Sequence, residues 1–167
     1  MEIHPQNVVD LDTLHAQTGN TWTSHHWLEI TQPMIDRFAE ATFDHQFIHV
    51  DPVAASQTPF GSTIAHGFLT LSLIPHLLSP LQLIPRGATT CINYGLNKVR
   101  FPSAVKVNSR IRAAVTLKAI EVSAPEQVRM IWGIEVQIEG ENKPALVAES
   151  LLLWLLQEET PATGARS

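Results

Sequence analysis

Cysteine is nearly absent from this chain of 167 residues: Cys91 stands alone. A disulfide framework is excluded, and a reducing, cytoplasmic setting is expected. Positive charge is scarce as well. Eleven Lys and Arg against sixteen Asp and Glu leave a net charge of −5, which argues against nucleic acid as a partner. A membrane-length apolar run is also missing. Residues 64–84 come nearest, with only His66 and His76 ionisable, but Pro75, Ser79, Pro80 and Gln82 interrupt them, so a buried helix and a loop are expected there and no membrane span. The opening Met-Glu-Ile-His-Pro-Gln is neither basic nor apolar, so no signal peptide is expected. No internal repeat is visible.

What is present suits one globular domain with a sizeable core: 44% of residues are hydrophobic and 16% charged. Residues 1–20 read as a polar lead-in, 21–157 as the domain, and 158–167 as a disordered tail. Aromatic and β-branched residues make 21–30 a first strand. Thr31 then caps a helix in which Ile35, Phe38, Ala39 and Thr42 recur at helical spacing and which ends by Phe43. Asp51-Pro52 starts a short helix. Residues 64–79 are apolar nearly all round, as in a helix enclosed by a sheet, with a kink or early end at Pro75. Strands follow over 89–101 and 107–120. A third alternates Val128, Met130, Trp132, Ile134, Val136 and Ile138 on one face with polar residues on the other. After a turn at 140–144 a last strand, 145–156, is apolar enough to expect burial on both faces. Antiparallel strands with one long buried helix make an α+β layout.

Chemistry concentrates in two stretches. Asp44 and His49 are too far apart to meet on a straight strand and off-register for a helix, so they converge only if the chain turns between them. A carboxylate and an imidazole that converge can share a water and move its protons near neutral pH. Gly67 stands at the start of the apolar helix, where backbone N–H groups are unpaired and a glycine admits a substrate oxygen close to the amide. That is the place for an oxyanion hole. His66 beside it reads as a cap or core histidine. His45 and His49, four apart with Asp44 adjoining, would suit a metal on a helix. Phe47 and Pro52 argue for loop, however, and no Glu or third His stands at metalloprotease spacing, so no metal is expected.

The run F-A-x-x-T-x-D-x-Q-F-I-H-V-D over residues 38–51, the I-A-H-G-F-L-T-L string with Gly67 eighteen residues after His49, and the later I-N-Y-G-L-N-K-V-R-F-P resemble the MaoC-like dehydratases, the R-specific (type-2) enoyl-CoA hydratases. The resemblance spans residues 22–156. It departs from the usual Gly-Asp-x-Asn-Pro-aliphatic-His string: Phe43 stands for the Gly, Gln46 for the Asn and Phe47 for the Pro. It implies a single hotdog domain, an antiparallel sheet wrapped around the long helix, paired as a homodimer with active sites at or near the interface. It also implies a hydro-lyase that adds water to trans-2-enoyl thioesters, with Asp44 and His49 handling the water, Gly67 the enolate oxygen and Gln46 an orienting amide. Tyr94 and Gly95 resemble the segment beside the acyl pocket. Five of the eleven basic residues, Lys98, Arg100, Lys106, Arg110 and Arg112, fall within fifteen positions. Lys98 and Arg100 share one strand face and are expected to hold the phosphates of coenzyme A, which enters only as part of the substrate, or to meet an acyl carrier protein. Both steps are proton transfers, so no cofactor is expected. The alternatives are a non-catalytic acyl-CoA-binding hotdog domain and a thioesterase on the same fold.

Overall fold

The computed structural model describes residues 7–157; the expected tail over 158–167 lies outside them. Alternating sequence builds the frame. Four long strands, β5 (Ala88–Arg100), β6 (Arg110–Ala124), β7 (Gln127–Ile138) and β8 (Leu146–Leu156), pair antiparallel in the spatial order β6-β7-β8-β5. Two short strands, β2 (Thr21–Thr23) and β3 (Leu28–Glu29), extend the sheet along β6. The expected first strand is divided because the Ser24 hydroxyl bonds both the N–H and the C=O of His26, turning the chain. The β6 residues Ile111, Ala113, Val115 and Leu117 and the six apolar residues expected on the inner face of β7 are all buried.

Before the sheet comes β1 (Val8–Val9), which pairs in parallel with β4 (Ile84–Pro85), then α1 (Leu11–Ala16). Asp10 caps α1 by accepting from the Thr13 N–H at 2.7 Å, and Leu14 is driven into the core. The lead-in therefore packs against the sheet.

The helical layer consists of α2 (Gln32–Thr42), α3 (Phe47–Val50), α4 (Pro52–Ser56), α5 (Gly67–Ser72) and α6 (Ile74–Leu78). Asp51 caps α4 through the Val53 and Ala54 N–H groups, each at 3.0 Å, an arrangement worth ~1 kcal/mol. The single helix expected over 64–79 starts later, at Gly67, and is interrupted at Leu73, because Pro75 has no N–H to offer the preceding turn. Its two segments are buried on one face, with α5 packed on β8 and α6 on β6, while Phe68, Ser72 and His76 are exposed, so the burial expected all round is one-sided. The strand β8 is buried on one face only: Leu146, Ala148, Leu152 and Trp154 point into the core, whereas Leu151, Leu153 and Leu155 are half-buried and Val147 is exposed. The strand expected over 107–120 begins at Arg110, because Asn108 turns the chain at φ 63°. Among the described residues no helix is long and apolar enough to cross a membrane.

Candidate active site

Asp44 and His49 meet because the chain turns sharply twice between α2 and α4. The first turn is at Phe43, which closes α2 in the left-handed region at φ 60°. A residue with a Cβ is strained there by about 1–2 kcal/mol, and the strain swings Asp44 away from the helix axis. The second is α3, a single helical turn where the sequence suggested loop. Its His49 N–H bonds the Gln46 carbonyl at 2.9 Å, and the histidine is carried inward to near-complete burial.

The protonation pattern of His49 follows from its partner. Its Nδ1 lies 2.7 Å from the Ile64 carbonyl oxygen, which only accepts, so Nδ1 carries the proton and Nε2 keeps a lone pair. Burial holds the imidazole below its usual 6.5, against the opposing pull of that hydrogen bond. His66 lies beneath it, 3% exposed, with the two rings stacked at 3.7 Å and 25°. The His66 Nε2–H donates to the Asp44 carbonyl at 3.0 Å, and Nε2 is 4.0 Å from the Asp44 carboxylate. Its Nδ1 is buried without a partner.

One donor atom from each of Asp44, His49 and His66 falls within a 4.8 Å cluster. Two acceptors bound to one water sit roughly 4.5 Å apart, so the spacing fits a shared water. A metal would need lone pairs that converge on one point, whereas the in-plane lone pairs of stacked rings run side by side. A carboxylate and imidazoles at this spacing can exchange protons with a molecule held between them. The pair considered from sequence, His45 with His49, does not form: His45 turns back toward Glu40, 3.9 Å away.

Gly67 opens α5, so its N–H has no intrahelical acceptor. A Cβ there would lie 3.1–3.2 Å from ring atoms of Phe101, so glycine also lets that ring cover the helix start. His49, Ile64, Gly67, Phe68, Phe101 and Val105 are among the residues lining a cavity of about 470 Å³, predominantly apolar. A neutral imidazole, an open amide and an apolar hollow thus share one site.

The remaining expected site residues do not line the cavity. Gln46 is exposed, and its side chain makes no hydrogen bond among the described residues. Tyr94 and Gly95 do not line the cavity. Tyr94 is 58% exposed and meets the Arg129 guanidinium at 5.5 Å, while Gly95 registers with Leu151. Lys98 and Arg100 register with Glu149 and Val147, on the sheet face away from α5 and α6. Neither lines the cavity: Arg100 precedes the lining residue Phe101, and its guanidinium donates to the Val99 carbonyl at 2.7 Å. The other basic residues have separate partners: Arg110 forms a bidentate pair with Glu139, and Arg112 bonds Gln137 while lying over Trp27.

The MaoC-like domain model matches residues 14–137 of this sequence. The chain belongs to the MaoC-like dehydratase family. It is 46% identical over 142 residues to 3-hydroxyacyl-thioester dehydratase Z of Mycobacterium tuberculosis, a match covering 85% of this chain and 93% of that protein. Its fold is similar to that of a MaoC-like dehydratase from Rhodospirillum rubrum, with TM-score 0.69, 21% identity and coverage of 89% and 98% of the two chains. It is also similar to the (R)-hydratase from A. caviae involved in PHA biosynthesis, with TM-score 0.66, 24% identity and coverage of 81% and 94%. The chain is an enzyme of the hydratase and dehydratase class on a hotdog fold.

Beside the family motifs, the site uses residues that sequence reasoning passed over. His66 was read as a cap or core residue, and its burial against His49 emerges only in three dimensions. The signal available was a histidine inside an apolar run with no polar neighbour to satisfy it. Gln32, in the first turn of α2, donates to the His49 carbonyl at 2.8 Å and accepts from Thr63 Oγ1 at 2.5 Å. Its partners stand 17 and 31 positions away, and no local pattern marks it.

Proposed function

We propose that this enzyme adds water to trans-2-enoyl thioesters to give R-3-hydroxyacyl thioesters, or runs the reverse dehydration, without a metal or redox cofactor. The observation that carries this is the neutral His49 tautomer: its ring lines an apolar cavity, and one ring nitrogen lies within 4.8 Å of the Asp44 carboxylate. The thioester class is supported by the M. tuberculosis relative's name, and the R configuration by the (R)-hydratase that shares the fold.

In hydration, a water held by Asp44 and His49 attacks the β-carbon while His49 Nε2 takes one of its protons. The enolate oxygen that forms on the thioester carbonyl is met by the Gly67 N–H. The imidazolium, stabilised by the Asp44 carboxylate, then returns its proton to the α-carbon on the same face. Hydroxyl and hydrogen are added, and His49 regains its lone pair. The cavity takes the acyl chain, and Lys98 and Arg100 meet the phosphates of coenzyme A or of a phosphopantetheine-bearing acyl carrier protein.

The site is completed by a second copy of the chain. The outer edge of β5 is unpaired in the single chain and exposes Ile92, Tyr94 and Leu96, and a homodimer joined there hides them. Light scattering at micromolar concentration is expected to give the mass of a dimer. Activity is tested directly with crotonyl-CoA: loss of the enoyl absorbance without release of free thiol, and an R product on chiral analysis. Thiol release would favour a thioesterase, and binding without turnover a non-catalytic acyl-CoA-binding domain.

A further inference from the structure

We infer that Gln32 is a positioning residue for the site: its amide, bonded to the buried Thr63 hydroxyl, ties the helix that ends at Asp44 to the turn that carries His49. This rests on the reading of Asp44 and His49 as the reacting pair.

The amide is used on three sides. Nε2 donates to the His49 carbonyl and to Asp36 Oδ1, each at 2.8 Å, and Oε1 accepts from Thr63 Oγ1 at 2.5 Å. Rotating the carboxamide by half a turn would set its oxygen against the His49 carbonyl and the Asp36 carboxylate, two acceptors. The Thr63 hydroxyl, 1% exposed, serves either orientation, so the two acceptors decide it. One orientation therefore satisfies every group, and it holds one end of α2 against α3.

The segment that carries Thr63 holds His49 as well. The Ile64 N–H bonds the Ile48 carbonyl at 3.0 Å, and the Ile64 carbonyl accepts from the His49 ring at 2.7 Å. Imidazole, backbone carbonyl and the preceding carbonyl are thus each fastened, two by the 63–64 segment and one by Gln32. The α3 turn has only four residues, too short to stay formed by itself, so these bonds decide where His49 stands relative to Asp44. Displacing a reacting group by about 1 Å costs on the order of 10²-fold in rate.

Gln32→Glu keeps size and shape but replaces the donor to the His49 carbonyl by an acceptor. It is expected to lower kcat by ~10–100-fold with KM changed less than about 3-fold. The His49 imidazole, followed by NMR, should titrate closer to its ordinary value as water enters the loosened turn. Thr63→Val should act in the same direction, and Thr63→Ser, which restores the hydroxyl, should recover most of the loss. Wild-type kcat and an unmoved His49 titration in both Gln32→Glu and Thr63→Val would overturn the proposal. So would a kcat loss that only tracks the folded fraction seen in thermal melts. If the wild type shows no hydratase activity, it is the functional reading that fails, and the His49 titration in the two variants still decides whether Gln32 sets the turn.

Discussion

The long strands and the helical layer over them are held in shape by different forces. From Ile111 to Leu117 of β6 and throughout β7 every second residue is apolar and buried, and the two strands are ladder-bonded along their length. In the layer, α3 to α6 have four to six residues each, and side-chain bonds from Gln32, His49, Asp51 and His66 to backbone groups set their relation. Apolar burial is roughly proportional to area and indifferent to direction, whereas hydrogen bonds fix angles. The sheet accordingly provides stability and the layer provides geometry, and substitutions in the two should fail in different ways.

The sharpest contrast is expected at the reacting pair. Asp44→Asn and His49→Gln should each lower turnover by ~10²–10⁴-fold, with the double variant little worse than either, because groups that act as a unit are not additive. Thermal melts should move little. Near-native turnover in either single variant would break the comparison. The wild type also has an expected pH signature. Burial lowers the folded pKa of His49 below 6.5, so the acid limb of kcat/KM should lie below pH 6.5, where the imidazole of the free enzyme gains a proton. Between 6.5 and that lower value the unfolded chain binds a proton that the folded chain refuses, so stability falls as the pH is lowered through this window.

Next in size is the helix start. Gly67→Pro removes the N–H and should reduce kcat by ~10²–10³-fold. Gly67→Ala keeps the N–H but presses on Phe101, and should retain most of kcat while raising KM. Equal kcat losses in the two variants would make the Phe101 contact, and not the amide, the reason for glycine.

In the sheet the expected loss is of another kind. Trp132 is fully buried and packs against Trp22 at 6.0 Å, so Trp132→Ala should cost about 3–5 kcal/mol of stability. Turnover per folded molecule should hardly change, as denaturant unfolding combined with active-site titration would reveal. The smallest effect belongs to Arg100→Ala: KM should rise a few-fold for a CoA thioester and not for a truncated pantetheine thioester. An equal rise for both would detach Arg100 from the phosphates.

The same contrast explains what could be read in advance. Strand β7 was legible because the alternation from Val128 to Ile138 is imposed by a buried face and survives without knowledge of partners, whereas β8 was read from its apolar run and not from alternation. Asp44, His49 and Gly67 were legible as types in a spaced pattern. A motif position does not say which way a side chain points: Gln46 is exposed, whereas the amide that bonds the His49 carbonyl belongs to Gln32. The division of the apolar helix at Leu73 was half visible in Pro75. The turn at Asn108 was not visible, because Asn adopts both left- and right-handed backbone and the choice was made by the neighbouring strand.

The edge strand β5 departs from its partner β8 in one more respect. Its register slips by one residue at Thr89, at Tyr94 and at Asn97. Each slip bends the strand and leaves a residue unpaired. An open edge that displays Ile92, Tyr94 and Leu96 would otherwise invite any extended peptide, the usual route to aggregation. Bends of this kind spoil the alignment of a straight strand laid along the edge, so β5 can display apolar side chains with less risk of indiscriminate pairing.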